Sequence, residues 1–267
     1  MTLRIEILGA NATAPTKCGP ASGSLVLAGD ACILVDAGPG VMGEFCRRHE
    51  LSEIAAITLT HLHADHCLDL MALAYRWTFP EVLPRIPLYL PAGETHRVRD
   101  FDALFGIPTL PTMHSPIEGS FRLAETPTGS APDAVTPALP PRLGGLKLAT
   151  AAAHHAVPTA CQRFELDGRV VSFTGDTSDC PSLRSGIAGS DVLVCECTYL
   201  DGDPTVLSGH GHLTATQAGR LAAETGVRHL VLNHFSTDDM HDEARRRAAE
   251  HFDGPITVAE PGLCIEV

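Results

Sequence analysis

The sequence predicts an α/β fold, two β-rich halves with helices outside, and three observations carry that reading. Short strand-like runs alternate with helix-like ones along most of the chain. Gly, Pro and Asp punctuate those runs, as they do at strand ends. With 267 residues, 44% of them hydrophobic, the chain can bury a substantial core as one domain, 1–267, without disulfide support.

The elements follow in order. "RIEILG", "SLVLAG" and "ACILVDAG" are short, alternating or β-branched, and read as strands. "IAAITLT" is a near-continuous apolar run, the pattern of a strand buried on both faces. "CLDLMALAYRWTF" has helical spacing, "IPLYLPA" reads as a strand and 94–105 as a helix. Residues 106–142 change character, with "TPTGSAPDAVTPALPP" the extreme. This stretch is too short for a domain and too poor in apolar periodicity for a helix. It reads as a Pro-rich surface excursion: a lid, an oligomer contact or a tolerated insertion. Regular structure resumes with "GLKLATAA", "CQRFELDG" and "RVVSFTGD" as strands, a short helix from Pro181, and the buried strand "DVLVCECTY". A capping-box pattern from Thr214 to Gln217 opens a helix that Gly226 closes. "RHLVLNHF" is a strand, 238–252 an amphipathic helix and "PITVAE" a last strand.

Composition excludes several functions. Nineteen Lys and Arg against thirty-two Asp and Glu leave a net charge of −13, whereas a protein that grips nucleic acid needs a basic surface. The basic run "ARRR" at 244–247 sits among acidic neighbours and reads as a solvated helix face. No segment approaches the roughly 18 apolar residues of a membrane span. The start "MTLRIEILG" alternates like a strand instead of showing a basic stretch before an apolar one, so the expected compartment is the cytoplasm. Nine cysteines without a CxxC pair then read as free thiols.

The chemistry concentrates in "THLHADHCLDL", residues 60–70. His61, His63, Asp65 and His66 follow a buried strand and precede a helix. In an extended segment His61 and His63 project to one side, and Asp65 and His66 lie where the chain turns over the strand end. Such a turn can aim two pairs of donors at two neighbouring points. Imidazole nitrogen with carboxylate oxygen suits Zn²⁺, and Mn²⁺ or Fe also accept that set. Further donors stand at other strand ends: His154 and His155 in "AAAHHAVPT", Asp176 in "FTGDTSD" and His234 in "LVLNHFS". Singly each reads as a cap or a surface group; as a set they read as a dinuclear site.

HxHxDH, a single His, TGD and a final His after a strand resemble the metallo-β-lactamase superfamily. "THLHADH", "FTGDT", "CECTY", "GHLTATQAG" and "LVLNHFS" are similar to its ribonuclease Z-like branch. "THLHADHCLDL" and "CPSLRSGIAGSDVLVCECTY" most resemble bacterial, actinobacterial cyclic-nucleotide phosphodiesterases. The resemblance covers nearly all the chain outside 106–142. It implies an αββα sandwich of two mixed sheets flanked by helices, with the site at one edge. Carried over, it implies that His61, His63 and His155 bind one metal and Asp65, His66 and His234 another, with Asp176 bridging. The offset of "HAVPT" selects His155 over His154. Asp36 in "VDAGPG" matches an aspartate that supports a ligand imidazole.

The resemblance also implies two Zn²⁺ ions, a bridging hydroxide as nucleophile, and a proton donor for the leaving group. His212 is that donor, oriented and held protonated by Glu196; on the residues alone, His210 has equal standing. Thr214 and Thr216 stand where a helix N-terminus could seat phosphate, although capping explains Thr214 as well. Ribonucleases of this branch that mature tRNA carry an arm between the single His and the TGD aspartate. Only "AVPTACQRFELDGRVVSFTG" lies there in this chain, which with the acidic charge points to a small phosphodiester and makes a nucleic-acid substrate unexpected. Hydrolysis of a lactone, thioester or amide, tRNA 3′ processing, and a metal-stabilised binding protein without turnover are the alternatives. Members of the branch often form dimers, so a homodimer is an expectation.

Overall fold

The computed structural model describes residues 1–135 and 138–267, with 204, 205 and 208 described by backbone alone. Among the described residues, fourteen strands form two seven-stranded sheets. The first half of the chain supplies β1 (Leu3–Gly9), β2 (Gly23–Ala28), β3 (Ala31–Val35), β4 (Ile54–Thr58), β5 (Ile86–Pro91) and β6 (Phe121–Thr126). The second supplies β7 (Asp133–Ala134), β8 (Lys147–Ala152), β9 (Ala160–Leu166), β10 (Arg169–Phe173), β11 (Val192–Glu196), β12 (His229–Asn233) and β13 (Ile256–Val258), before β14 (Cys264–Glu266) returns to the first sheet beside β1. The sheet orders are β14-β1-β2-β3-β4-β5-β6 and β13-β12-β11-β10-β9-β8-β7.

Both sheets are mixed in the same way. From β14 to β3 neighbours run antiparallel, and from β3 to β6 parallel. From β7 to β10 they run antiparallel, and from β10 to β13 parallel. Residue alternation shows why two layers form. Val26 and Ile33 point into the core between the sheets, while their neighbours Leu25 and Leu34 point outward beneath helices that contribute Phe45, Leu73 and Trp77. Helix Ala215–Glu224 and helix His241–Ala249 cover the outside of the second sheet through Ala218, Leu221, Ala222 and Ala244. The arrangement is the expected αββα sandwich.

Residues 106–142 depart from the sequence reading. The structure builds them into a five-residue helix, Pro116–Ser120, then β6, then β7, so the stretch carries the chain from the edge of one sheet to the edge of the other. The reason is long-range support. Buried Asp102 accepts hydrogen bonds from Ile117 N (2.7 Å) and Glu118 N (2.8 Å), and β6 pairs along its length with β5. Neither partner shows in local periodicity. Residues 136 and 137 of the quoted Pro-rich run lie outside the described residues. The three-residue β14 escapes notice because its support is the pairing with β1 at the other end of the chain.

The "ARRR" run behaves as a solvated face: Arg246 pairs with Glu243 and Glu250, and Arg247 with Glu243 and Asp201. All nine cysteines are free thiols. Among the described residues no helix is long and apolar enough to cross a membrane.

Candidate metal centre

The C-terminal ends of parallel strands from both sheets meet at one edge of the sandwich, which is where open α/β sheets place their sites. Asp36 follows β3 and His61 follows β4; Asp176 follows β10, Glu196 ends β11 and His234 follows β12. His155 follows β8. The turn after β4 is pinned from two sides. Ala37 N donates to His66 O (2.7 Å) and Ser22 N to Asp65 O (3.2 Å). Two site residues occupy the left-handed region that side chains disfavour, Asp36 at φ 60° and His234 at φ 61°. Gly175, at φ 61°, precedes Asp176 where a Cβ would crowd Thr60 at 3.0 Å.

The sequence-predicted donors converge as two groups. His63 Nδ1 lies 3.1 Å from His61 Nε2 and 3.0 Å from His155 Nε2. His234 Nε2 lies 3.3 Å from His66 Nε2 and 3.4 Å from Asp65 Oδ2. Asp176 stands between them. Its Oδ2 faces His61 Nε2 (3.7 Å) and His155 Nε2 (3.8 Å), and its Oδ1 faces His66 Nε2 and His234 Nε2, each at 3.3 Å. His154 turns away, exposed and bonded to Ser178 Oγ (2.8 Å), so of the two neighbours the structure brings His155 to the cluster.

A supporting layer fixes which nitrogen faces inward. Asp36 Oδ2 lies 2.8 Å from His66 Nδ1 and accepts from Thr60 Oγ1 (2.9 Å); that hydroxyl in turn sits 3.1 Å from His61 Nδ1. The carbonyl of Gly211 accepts from His155 Nδ1 (2.9 Å). Thr198 Oγ1 donates to Glu196 Oε2 (2.6 Å) and so is left to accept from His234 Nδ1 (2.8 Å). In His61, His155 and His234 the outer nitrogen therefore carries the hydrogen, and the inner one presents its lone pair. Thr60, Thr198 and Gly211 are absent from the sequence reading. A usable signal existed for Thr198, two residues beyond Glu196 and hence on the same face of the chain.

Burial and neighbouring charge act on the donors in different directions. Burial lowers His61, His63 and His155, keeping those rings neutral donors. Against the pull of burial, the Asp176 and Asp36 carboxylates hold His66 well above the ordinary imidazole range. Also against burial, His234, His66 and His61 hold Asp176 well below the carboxylate range. Among the described residues, no hydrogen bond is aimed at the buried Asp176 Oδ1. Lone pairs converging on a buried carboxylate whose one oxygen lacks a donor are what a divalent cation completes, and the donor set fits one.

Glu196, His212 and His234 form a third group of close donors. It differs in kind, because the Glu196 oxygens already accept from Thr177 N (2.6 Å), Leu213 N (3.2 Å) and Thr198 Oγ1. That buried carboxylate holds His212 Nδ1 at 3.1 Å, beside both metal-type groups. The His212 ring lies 5.0 Å from His155 and 5.8 Å from His234, centre to centre. His210 is exposed instead. Thr214 acts as the helix cap, accepting from Gln217 N at 3.1 Å.

Known proteins share the family and the fold. The model of the beta-lactamase superfamily domain matches residues 32–235. A ribonuclease Z of Nocardia farcinica is 32% identical, over 96% of this chain and 95% of that protein. Two solved structures share the fold: the metallo-beta-lactamase fold protein YhfI of Bacillus subtilis (TM-score 0.82, 22% identical, all of both chains) and the short form of human tRNase Z (TM-score 0.75, 22% identical, 98% of each chain). The chain thus belongs to the beta-lactamase superfamily, as a hydrolase of the metallo-β-lactamase fold in the branch that its ribonuclease Z relatives occupy.

Proposed function

We propose that the protein hydrolyses a small phosphodiester such as a cyclic nucleotide. His61, His63 and His155 hold one Zn²⁺, Asp65, His66 and His234 hold a second, and Asp176 lies between them. Mn²⁺ or Fe suits the same donors. Divalent cations bound there supply Lewis acidity and bring the pKa of water down to about 7.

The chain's own residues do the rest. The single observation that carries the reading is His212, outside both ligand groups, with Nδ1 held by buried Glu196. A leaving alkoxide needs a proton, and an imidazole whose Nδ1–H is engaged offers the other nitrogen's proton outward. Burial disfavours a charged His212, yet the Glu196 hydrogen bond and charge outweigh it and raise its pKa. Asp36 and Thr198 keep the donor rings oriented.

An RNA substrate is the second reading, favoured by the ribonuclease Z relatives. Against it stand the net charge of −13 and the link from His155 to Asp176, which is the hairpin β9–β10 closed at Asp167 and Gly168. The test is metal analysis of the purified protein with a substrate panel: cyclic AMP, bis(p-nitrophenyl) phosphate, a lactone, a thioester and a precursor tRNA. The expected outcome is about two equivalents of metal and chelator-sensitive turnover of the phosphodiesters. Turnover confined to acyl substrates, or preference for the tRNA, would refute the proposal.

A further inference from the structure

Where the cluster reaches the surface at His63, a groove of about 430 Å³ opens. Leu62 and Leu68, from the turn and helix after β4, form one wall. Phe101 and Leu104, from helix Thr95–Phe105, form the other. Leu68 is 45% exposed and Leu104 72% exposed. The fold does not require Leu104 there, because its helix buries only Val98 and Asp102. His63 belongs to both places: its Nδ1 sits in the cluster while its ring lines the groove. A molecule in the groove therefore lies against His63, one of the metal-type donors. Arg97 stands at the edge, partly exposed, paired with Glu94 at 3.2 Å.

We infer that this groove seats an aromatic ring carried by the phosphodiester, with Arg97 meeting the anion; the inference rests on the proposed phosphodiesterase reading. The volume lies within the roughly 300–1,000 Å³ of small-ligand sites, and apolar walls with a few polar groups are their usual lining. Phe101 offers a ring face, and Leu62, Leu68 and Leu104 offer apolar contact. One cation beside a centre that would hold divalent metal complements a single phosphodiester. A polynucleotide backbone would need a row of cations, and here it would meet Asp100 in the same groove.

The double variant Leu68→Ser/Leu104→Ser tests this, since both side chains are exposed and neither belongs to the catalytic machinery. In calorimetry on the metal-loaded protein, phenyl phosphate is expected to bind about tenfold more tightly than methyl phosphate, and the variant to lose that preference. KM for bis(p-nitrophenyl) phosphate should rise by a similar factor with kcat little changed. Arg97→Gln should weaken both ligands by the same factor, because it meets the anion they share. If the wild type turns over phosphodiesters but the variant keeps its preference for the ring, the groove assignment fails alone. If no phosphodiester is turned over, the proposed function fails and takes the groove with it. A variant that changes oligomeric state in light scattering at constant KM would show an interface between copies, and that also overturns the inference.

Discussion

The two halves of the molecule contribute to the centre in opposite styles. The first half delivers four donors, His61, His63, Asp65 and His66, from six consecutive residues at one strand end. The second delivers His155, Asp176 and His234 singly, from loops after β8, β10 and β12, with Glu196 and His212 behind them. Yet the two sheets have the same pairing pattern, three antiparallel contacts followed by three parallel ones. Equivalent scaffolds thus hold donors at very different local density. What makes them equivalent is the supporting layer: Asp36 and Thr60 fix the rings of the first half, while Thr198 and Gly211 fix those of the second.

The largest expected effect comes from the residue both groups share. Asp176→Asn should cost about 10⁵-fold in kcat/KM, as when one member of a set that acts as a unit is removed. Metal analysis should then find at most one tightly held equivalent. Retention of two would show that the halves bind independently.

His212→Ala tests a second-half residue that serves chemistry instead of binding. It should lose about 10²–10⁴-fold in kcat with metal content unchanged. The proton donor works only while protonated, so wild-type activity should fall as pH rises through the raised His212 pKa, and that alkaline limb should vanish in the variant. Unchanged kcat would show that a group other than His212 protonates the leaving oxygen.

The supporting layers can be compared directly. Asp36→Asn and Thr198→Val should each weaken metal binding about 10–100-fold, measured by chelator competition. The aspartate variant should suffer more, because it loses a charge beside His66. Equal losses would mean that hydrogen-bond geometry, and not charge, does the orienting.

The smallest effect lies away from the site. His49 sits between Glu53 (2.8 Å) and Glu6 (2.9 Å). Burial opposes its charge, but those two carboxylates raise its pKa above the ordinary value. A raised folded pKa means the contribution is full below about 6.5 and disappears as pH climbs through the folded value. His49→Gln should cost about 1 kcal/mol at pH 6 and nearly nothing at pH 9, read from urea midpoints. A pH-independent loss would show a packing role only.

The difference between the halves also explains why one is more legible in the sequence than the other. The turn at 60–66 announces itself, because donors packed into one strand end have no common structural reason to be there. His155 and His234 are ordinary singly and gain meaning only beside that turn. Residues 106–142 mislead for the converse reason: helix Pro116–Ser120 and strand β6 are supported by Asp102 and β5, which lie outside the window that periodicity samples.

Strand and helix order and the first-half donors were set by local pattern, since side-chain period and turn chemistry act over a few residues. Tertiary structure alone linked Thr198 to His234, aimed the two Asp176 oxygens at different groups, and opened the groove beside His63. Those choices depend on distances between strands far apart in the chain, and such distances exist only once both sheets have packed.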